Sequence, residues 1–108
     1  MKTITGTFVN SQNSHITPTT GAGLTLSLQL KTPANASGVG LVTSTPILIT
    51  LTAAAIPGAT QILATDELTP ATNYVCKVVD ISNNVIWGPV TLAISGASPI
   101  DLSTLTPV

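Results

Sequence analysis

The chain has 108 residues, of which 44% are hydrophobic and only 6% charged, with a formal net charge of −1. Ordinary soluble proteins carry roughly 25% charged residues, and here three lysines without any arginine leave no basic patch to neutralise a run of phosphates or hold an anionic membrane. A chain of this length forms one domain around a single modest core, and its nineteen threonines, β-branched and suited to strands, point to an all-β protein with a neutral surface.

Taken in order, Thr3 to Val9 alternates, so Ile4 and Phe8 share one face of a first strand, and Gly6 between them leaves room for a close neighbour. Asn10 to Thr20 is a polar loop closed by Gly21-Ala22-Gly23. Leu24, Leu26, Leu28 and Leu30 then alternate with Thr25, Ser27, Gln29 and Lys31, which predicts a strand with one buried and one wet face. Thr32 to Gly40 is rich in Gly, Pro and small polar residues and reads as a long flexible loop. Leu41 to Thr45 forms a short strand that Pro46 must end or place at an edge, because proline lacks a ladder donor. In the next strand Ile47, Ile49 and Leu51 lie on one side. Leu48 interrupts the polar side, which suggests either a strand covered on both faces or a contact with another chain. Pro57-Gly58 is a turn signal, Ala53 to Ala55 is too short to nucleate a helix, and Gln61 to Ala64 is a further short strand leading to Asp66-Glu67.

The central stretch runs from Leu68 to Trp87 and reads as one hairpin. Tyr74, Cys76 and Val78 alternate with Val75, Lys77 and Val79, and Ser82, Asn83 and Asn84 supply the turn, since Asn tolerates left-handed backbone. Leu68-Thr69-Pro70-Ala71-Thr72-Asn73-Tyr74 has the form of a tyrosine corner, in which a Tyr entering a strand bonds back to upstream backbone. Gly88-Pro89 bends the chain, and Val90 to Ser95 is the last regular strand. The tail from residue 96 to 108 spaces Ile100, Leu102 and Leu105 among polar residues, so it is expected to dock either on residues 1–95, taken as the domain, or on a neighbouring subunit. The core expected from this pattern holds Ile4, Phe8, Leu24, Leu26, Leu28, Ile49, Leu51, Tyr74, Cys76, Val78, Trp87 and Leu92, and the expected interface residues are Leu48, Ile100, Leu102 and Leu105.

Little in the sequence points to chemistry. Cys76 is the only cysteine, so neither an intrachain disulfide nor a thiolate cluster can form, and the residue reads as a small buried apolar group. His15 sits in a polar loop with no acid or nucleophile at informative spacing, as general-base work would require. Asp66 and Glu67 are adjacent and would diverge on a strand. Asp80, Asn83 and Asn84 offer too few oxygens for calcium, which takes about six or more, so they read as turn formers. Trp87 and Tyr74 are expected in the core rather than stacked on a sugar. The expectation is no enzyme, no catalytic residue, no metal, no cofactor and no nucleic-acid partner. Met1 to Gln12 has no apolar run of signal-peptide length, and prolines interrupt the most apolar region, from Leu41 to Ala59, so no membrane association is expected.

The Leu68–Val78 stretch, L-T-P-A-T-N-Y-V-C-K-V, resembles the corner-and-strand pattern of fibronectin type III and related immunoglobulin-like domains. Together with I-T-G-T-F-V-N-S-Q at 4–12, the Leu24–Leu30 strand, the hairpin, and S-G-A-S-P-I-D-L at 95–102, it is similar to the prealbumin-like or carboxypeptidase-regulatory-like sandwiches of bacteriophage structural proteins. At its first turn the chain has Asn10-Ser11-Gln12-Asn13 where that family usually has Asp-x-x-Gly. The resemblance implies a single antiparallel immunoglobulin-like or prealbumin-like β-sandwich of about seven to eight strands. It implies a virion component such as a capsid decoration protein, head fibre or tail appendage, a homo-oligomer with a trimer favoured, and partners such as the major capsid protein. Two rival expectations are an extracellular fibre subunit whose tail adds a strand to the next copy, and a glycan- or surface-binding adhesin-like module using Thr32–Gly40 and Trp87.

Overall fold

The alternation of Leu24–Leu30 becomes the second strand of an all-β chain whose computed structural model describes residues 1–108. The strands are β1 (Lys2–Thr5), β2 (Leu24–Leu30), β3 (Ala34–Ala36), β4 (Gly40–Val42), β5 (Ile47–Thr50), β6 (Gln61–Ile62), β7 (Tyr74–Asp80), β8 (Val85–Leu92) and β9 (Ile100–Asp101). Single 3-10 turns cover Thr65–Glu67 and Leu102–Thr104, and these are the only helical elements. One sheet runs β5-β2-β7-β8, all antiparallel, and a second runs β6-β1-β9. β3 and β4 form a separate antiparallel hairpin.

One apolar core joins the two larger sheets. Ile4, Ile62 and Ile100 enter it from the three-stranded sheet, and Leu26, Leu28, Cys76 and Val78 from the four-stranded one. Each Leu or Ile removed from water here contributes about 2 kcal/mol by transfer. Leu24, Leu30, Tyr74, Leu92 and Phe8 belong to the same cluster, and Ile49 and Trp87 pack on it half-buried. Trp87 meets Phe8 with ring centroids 4.9 Å apart and planes tilted by 60°, a favourable aromatic arrangement.

Several elements depart from the sequence reading. Thr32 to Gly40 is not a free loop: β3 lies within it and pairs with β4, which falls mostly in the short strand expected from Leu41; Ala34 and Ala36 are buried, and Asn35 exchanges backbone bonds of 2.9 and 2.8 Å with Thr69. The first strand ends at Thr5, and Thr7 and Val9 then make single bridges to Ala55 and His15. Asn10 Oδ1 accepts from the Gln12 and Ser14 amides, and Asn13 adopts φ 61°, so this turn closes with asparagines where the resembling family has Asp and Gly. Ser27 is buried despite lying on the outer face, because it stands between Leu48 and Lys77 across the sheet. Gly88-Pro89 does not end a strand; β8 continues through it to Leu92 with shifts of register against β7. The pairing is not wholly antiparallel either, since β9 lies parallel to β1, with Ile4 opposite Ile100.

The structure places residues 96–108 in the same body as 1–95. Ile100 and Leu102 are buried in the chain's own core, and Leu105 packs against it half-buried. Expected as interface residues, Ile100 and Leu102 are thus covered within the molecule, and Leu102 lies opposite Gly6, where an added Cβ would meet it at an ordinary contact distance of 3.5 Å.

Candidate interaction surface

The titratable groups limit what the molecule can do chemically. Asp80 is buried, and its two oxygens accept from the Ser82 and Asn84 amides (2.9 and 3.0 Å), the Thr19 and Thr20 amides (3.1 Å each), the Thr20 hydroxyl (3.3 Å) and the Asn84 side chain (3.1 Å). Every lone-pair direction is met by a donor, so this carboxylate, expected to shape the turn, has no oxygen to spare for a cation. Burial works to raise its pKa, but the Asn84, Thr20 and Ser82 donors outweigh it and hold the carboxyl well below the usual range.

Asp66 and Glu67, expected to open a loop, lie in a 3-10 turn. The Asp66 oxygens accept from Lys2 Nζ at 3.0 and 2.8 Å, and Lys2, with the Gly96 amide, lowers the Asp66 pKa. Glu67 accepts from the Ala64 amide at 2.9 Å and pairs with the N-terminal amine at 3.1 Å; the Ala64 bond is the main cause of its lowered pKa. Asp101 accepts from the Ser103 amide and hydroxyl at 2.9 and 2.6 Å and so caps the last 3-10 turn. All four carboxylates are therefore occupied with local structure.

Cys76 is fully buried, and burial pushes its thiol up to about 12. Tyr74 is buried, its hydroxyl donates to the Leu63 carbonyl as a tyrosine corner would, and burial pushes its pKa up to about 12. Tyr74 is sunk in the core, and Trp87 is half-covered beside Phe8. His15 lies exposed opposite Val9, and no three His, Cys, Asp or Glu side chains converge. No helix is long and apolar enough to cross a membrane.

The unusual surface is apolar and lies around β5. Leu48 is 68% exposed, Ile47 41%, and Leu41 on the neighbouring segment 87%. Beneath them is a cavity of about 370 Å³ lined by Leu28, Leu30, Val42, Ile47, Ile62 and Tyr74, among others. No Asp, Glu, Lys, Arg or His occurs anywhere from residue 32 to 65, the stretch that builds β3, β4, β5 and β6.

β5 is also an edge strand. Ile49 pairs with Leu26 and Ile47 with Leu28, so those side chains face the core, while Leu48 pairs with Ser27 on the outer face. The Leu51 amide bonds to the Leu24 carbonyl at 2.9 Å, and on the other side of β2 the Lys31 amide bonds to the Asn73 carbonyl at 3.0 Å. Antiparallel ladders alternate, so the even-numbered residues of β2 bond to β5, and the backbone groups of Leu48 and Thr50 point away from the sheet. The interruption at Leu48 was visible in the sequence; what the sequence could not supply was the edge position of its strand. The Leu41–Thr45 run marked β4, but its partner β3 left only a weak signal, the alternation of Ala34, Asn35 and Ala36 before Ser37-Gly38. Comparison of the chain with protein-family models, with curated proteins and with solved structures finds no match.

Proposed function

We propose that this chain is a non-enzymatic structural protein of a bacteriophage virion, a capsid decoration protein, head fibre or tail appendage, built as an immunoglobulin-like or prealbumin-like β-sandwich. It works as a homo-oligomer held among other virion proteins such as the major capsid protein, and is assembled in the host cytoplasm. The observation that carries this reading is the uncharged apolar surface around β5, where Leu41 and Leu48 stand exposed while the four carboxylates and the thiol are committed to the fold. Such a surface associates without stripping water from ions, the step that makes charged interfaces costly.

The sandwich reading draws support from two sheets sharing one core and from the Tyr74 hydroxyl bonded to the Leu63 carbonyl. The virion assignment itself comes from the resemblance of the 4–12, 24–30, 68–87 and 95–102 stretches to phage structural domains. Labelling purified particles from the source with an antibody against this chain tests it. Regularly placed label on heads or tails is the expected result, and particles that carry the protein nowhere would refute the assignment.

A further inference from the structure

We infer that a second copy of this chain docks on the free edge of β5, antiparallel about a twofold axis, so that the four-stranded sheet continues across the interface. The inference rests on the reading of the chain as an assembly subunit and names the partner of that same surface.

The other edges of the two larger sheets are blunted and β5 is not. At the far side of its sheet, β8 carries Pro89 and an irregular register, and the Val108 amide takes up the Thr91 carbonyl at 2.8 Å. β6 and β9, the edges of the second sheet, have two residues each. Short strands, prolines, irregularities and covering segments are the ordinary ways in which a sheet avoids further pairing, and charged residues are another. β5 reads Ile47-Leu48-Ile49-Thr50, with no charge and no proline inside it, and Pro46 stands just before it.

Leu48 and Thr50 point their N–H and C=O groups outward. Antiparallel pairing centred on Ile49 sets Leu48 of each copy opposite Thr50 of the other, so both outward donors of one copy meet both outward acceptors of its twin. Thr52 cannot prolong the ladder, because its amide is already bonded to the Ala55 carbonyl at 2.9 Å. In a twofold pairing each residue lies near its own twin, so any charge meets its like. A strand in an entirely uncharged stretch suits a copy of itself, whereas nothing on it would select a charged partner. The result is a dimer rather than the trimer that the resemblance implies.

Sedimentation velocity of the full-length protein over a roughly hundredfold concentration range tests this by mass action. Two variants accompany the wild type: Leu48→Lys, which sets ammonium groups diagonally across the axis, and Thr50→Pro, which deletes one outward donor at an edge where proline is tolerated. Far-UV circular dichroism verifies that both remain folded. In the wild type, hydrogen exchange reads the edge directly. The expected result is a wild-type dimer, loss of the dimer in both variants, and exchange of the Leu48 and Thr50 amides slowed about tenfold or more in the concentrated sample. A wild-type monomer at all concentrations overturns the inference. So does a trimer or filament that persists in both variants, or a dimer whose Leu48 and Thr50 amides exchange as in the monomer. Particle labelling separates the two proposals: labelled virions from a monomeric protein sink the edge pairing alone, and a β5 dimer absent from every particle sinks the virion reading alone.

Discussion

Asp80 holds two distant segments together with one carboxylate, since Oδ1 serves the β7–β8 turn and Oδ2 serves Thr19 and Thr20 sixty residues upstream. Its folded pKa is depressed. The stability it contributes is therefore present in full above its unfolded-state value, about 4, and is lost as pH falls from there toward the folded value. Asp66 and Glu67, also depressed, act in the same direction. The wild type should accordingly lose stability on acidification below about pH 4. Asp80→Asn removes an acceptor oxygen and turns an amide donor toward groups that are themselves donors. Its urea midpoint should be lower at neutral pH, and its midpoint should fall less steeply between about pH 4 and pH 2, with Asp66 and Glu67 supplying the remainder. Parallel acid slopes for variant and wild type would mean that Asp80 titrates alike in the folded and unfolded chains.

At the scale of elements, β8 rests on one glycine. Gly88 has φ +86°, and a Cβ there would lie 2.6 Å from the Cys76 carbonyl oxygen and 3.2 Å from Lys77 Cα and Val90 N. All three are backbone atoms of the central hairpin, so nothing flexible can yield. Gly88→Ala should cost about 2 kcal/mol or more, combining left-handed strain with displacement of the ladder. Gly58→Ala, with no atom within 4 Å of its added Cβ, is the control and should be near neutral. Equal urea midpoints for the two variants would show that β8 adapts freely. The same strand shows where sequence reasoning stops. The β2 alternation and the Asn83 turn were legible because periodicity and turn chemistry are local, and both are present in the structure. Gly88-Pro89 reads as a bend, since the same dipeptide serves a bend and an irregularity in an edge strand; only the partner strand decides between them. β3 and β9 were illegible as strands because two or three residues make no period, and the partner of β9 lies at the opposite end of the chain, whereas the Leu41–Thr45 run had marked the β4 segment. For the candidate surface, the sequence supplied Leu48 but not the neighbours that leave it bare.

Over the whole molecule, the two ends of the chain close the fold on each other. β9 lies parallel to β1, the Thr3 amide donates to Ser98 Oγ at 3.0 Å, and Lys2 Nζ reaches both Asp66 and the Gly96 carbonyl. The exposed pairing of Lys2 with Asp66 adds little by itself. The buried side chains matter more: Ile100 and Leu102 are 5% and 6% exposed and lie in the core with Ile4. Leu102→Ala should cost about 2–4 kcal/mol, because the β1 segment and Gly6 can collapse only partly into the space left. That is a large part of the roughly 5–15 kcal/mol that keeps a domain folded. Deleting residues 97–108 removes both side chains and the third strand of the sheet together. The shortened chain should lose cooperative urea unfolding and the near-UV signal of Trp87, rather than behave as an intact domain without its tail. A truncated protein that unfolded at the wild-type midpoint with an unchanged slope would show that β9 rests on the surface of a self-sufficient domain, and the tail would then be free to serve a neighbouring copy.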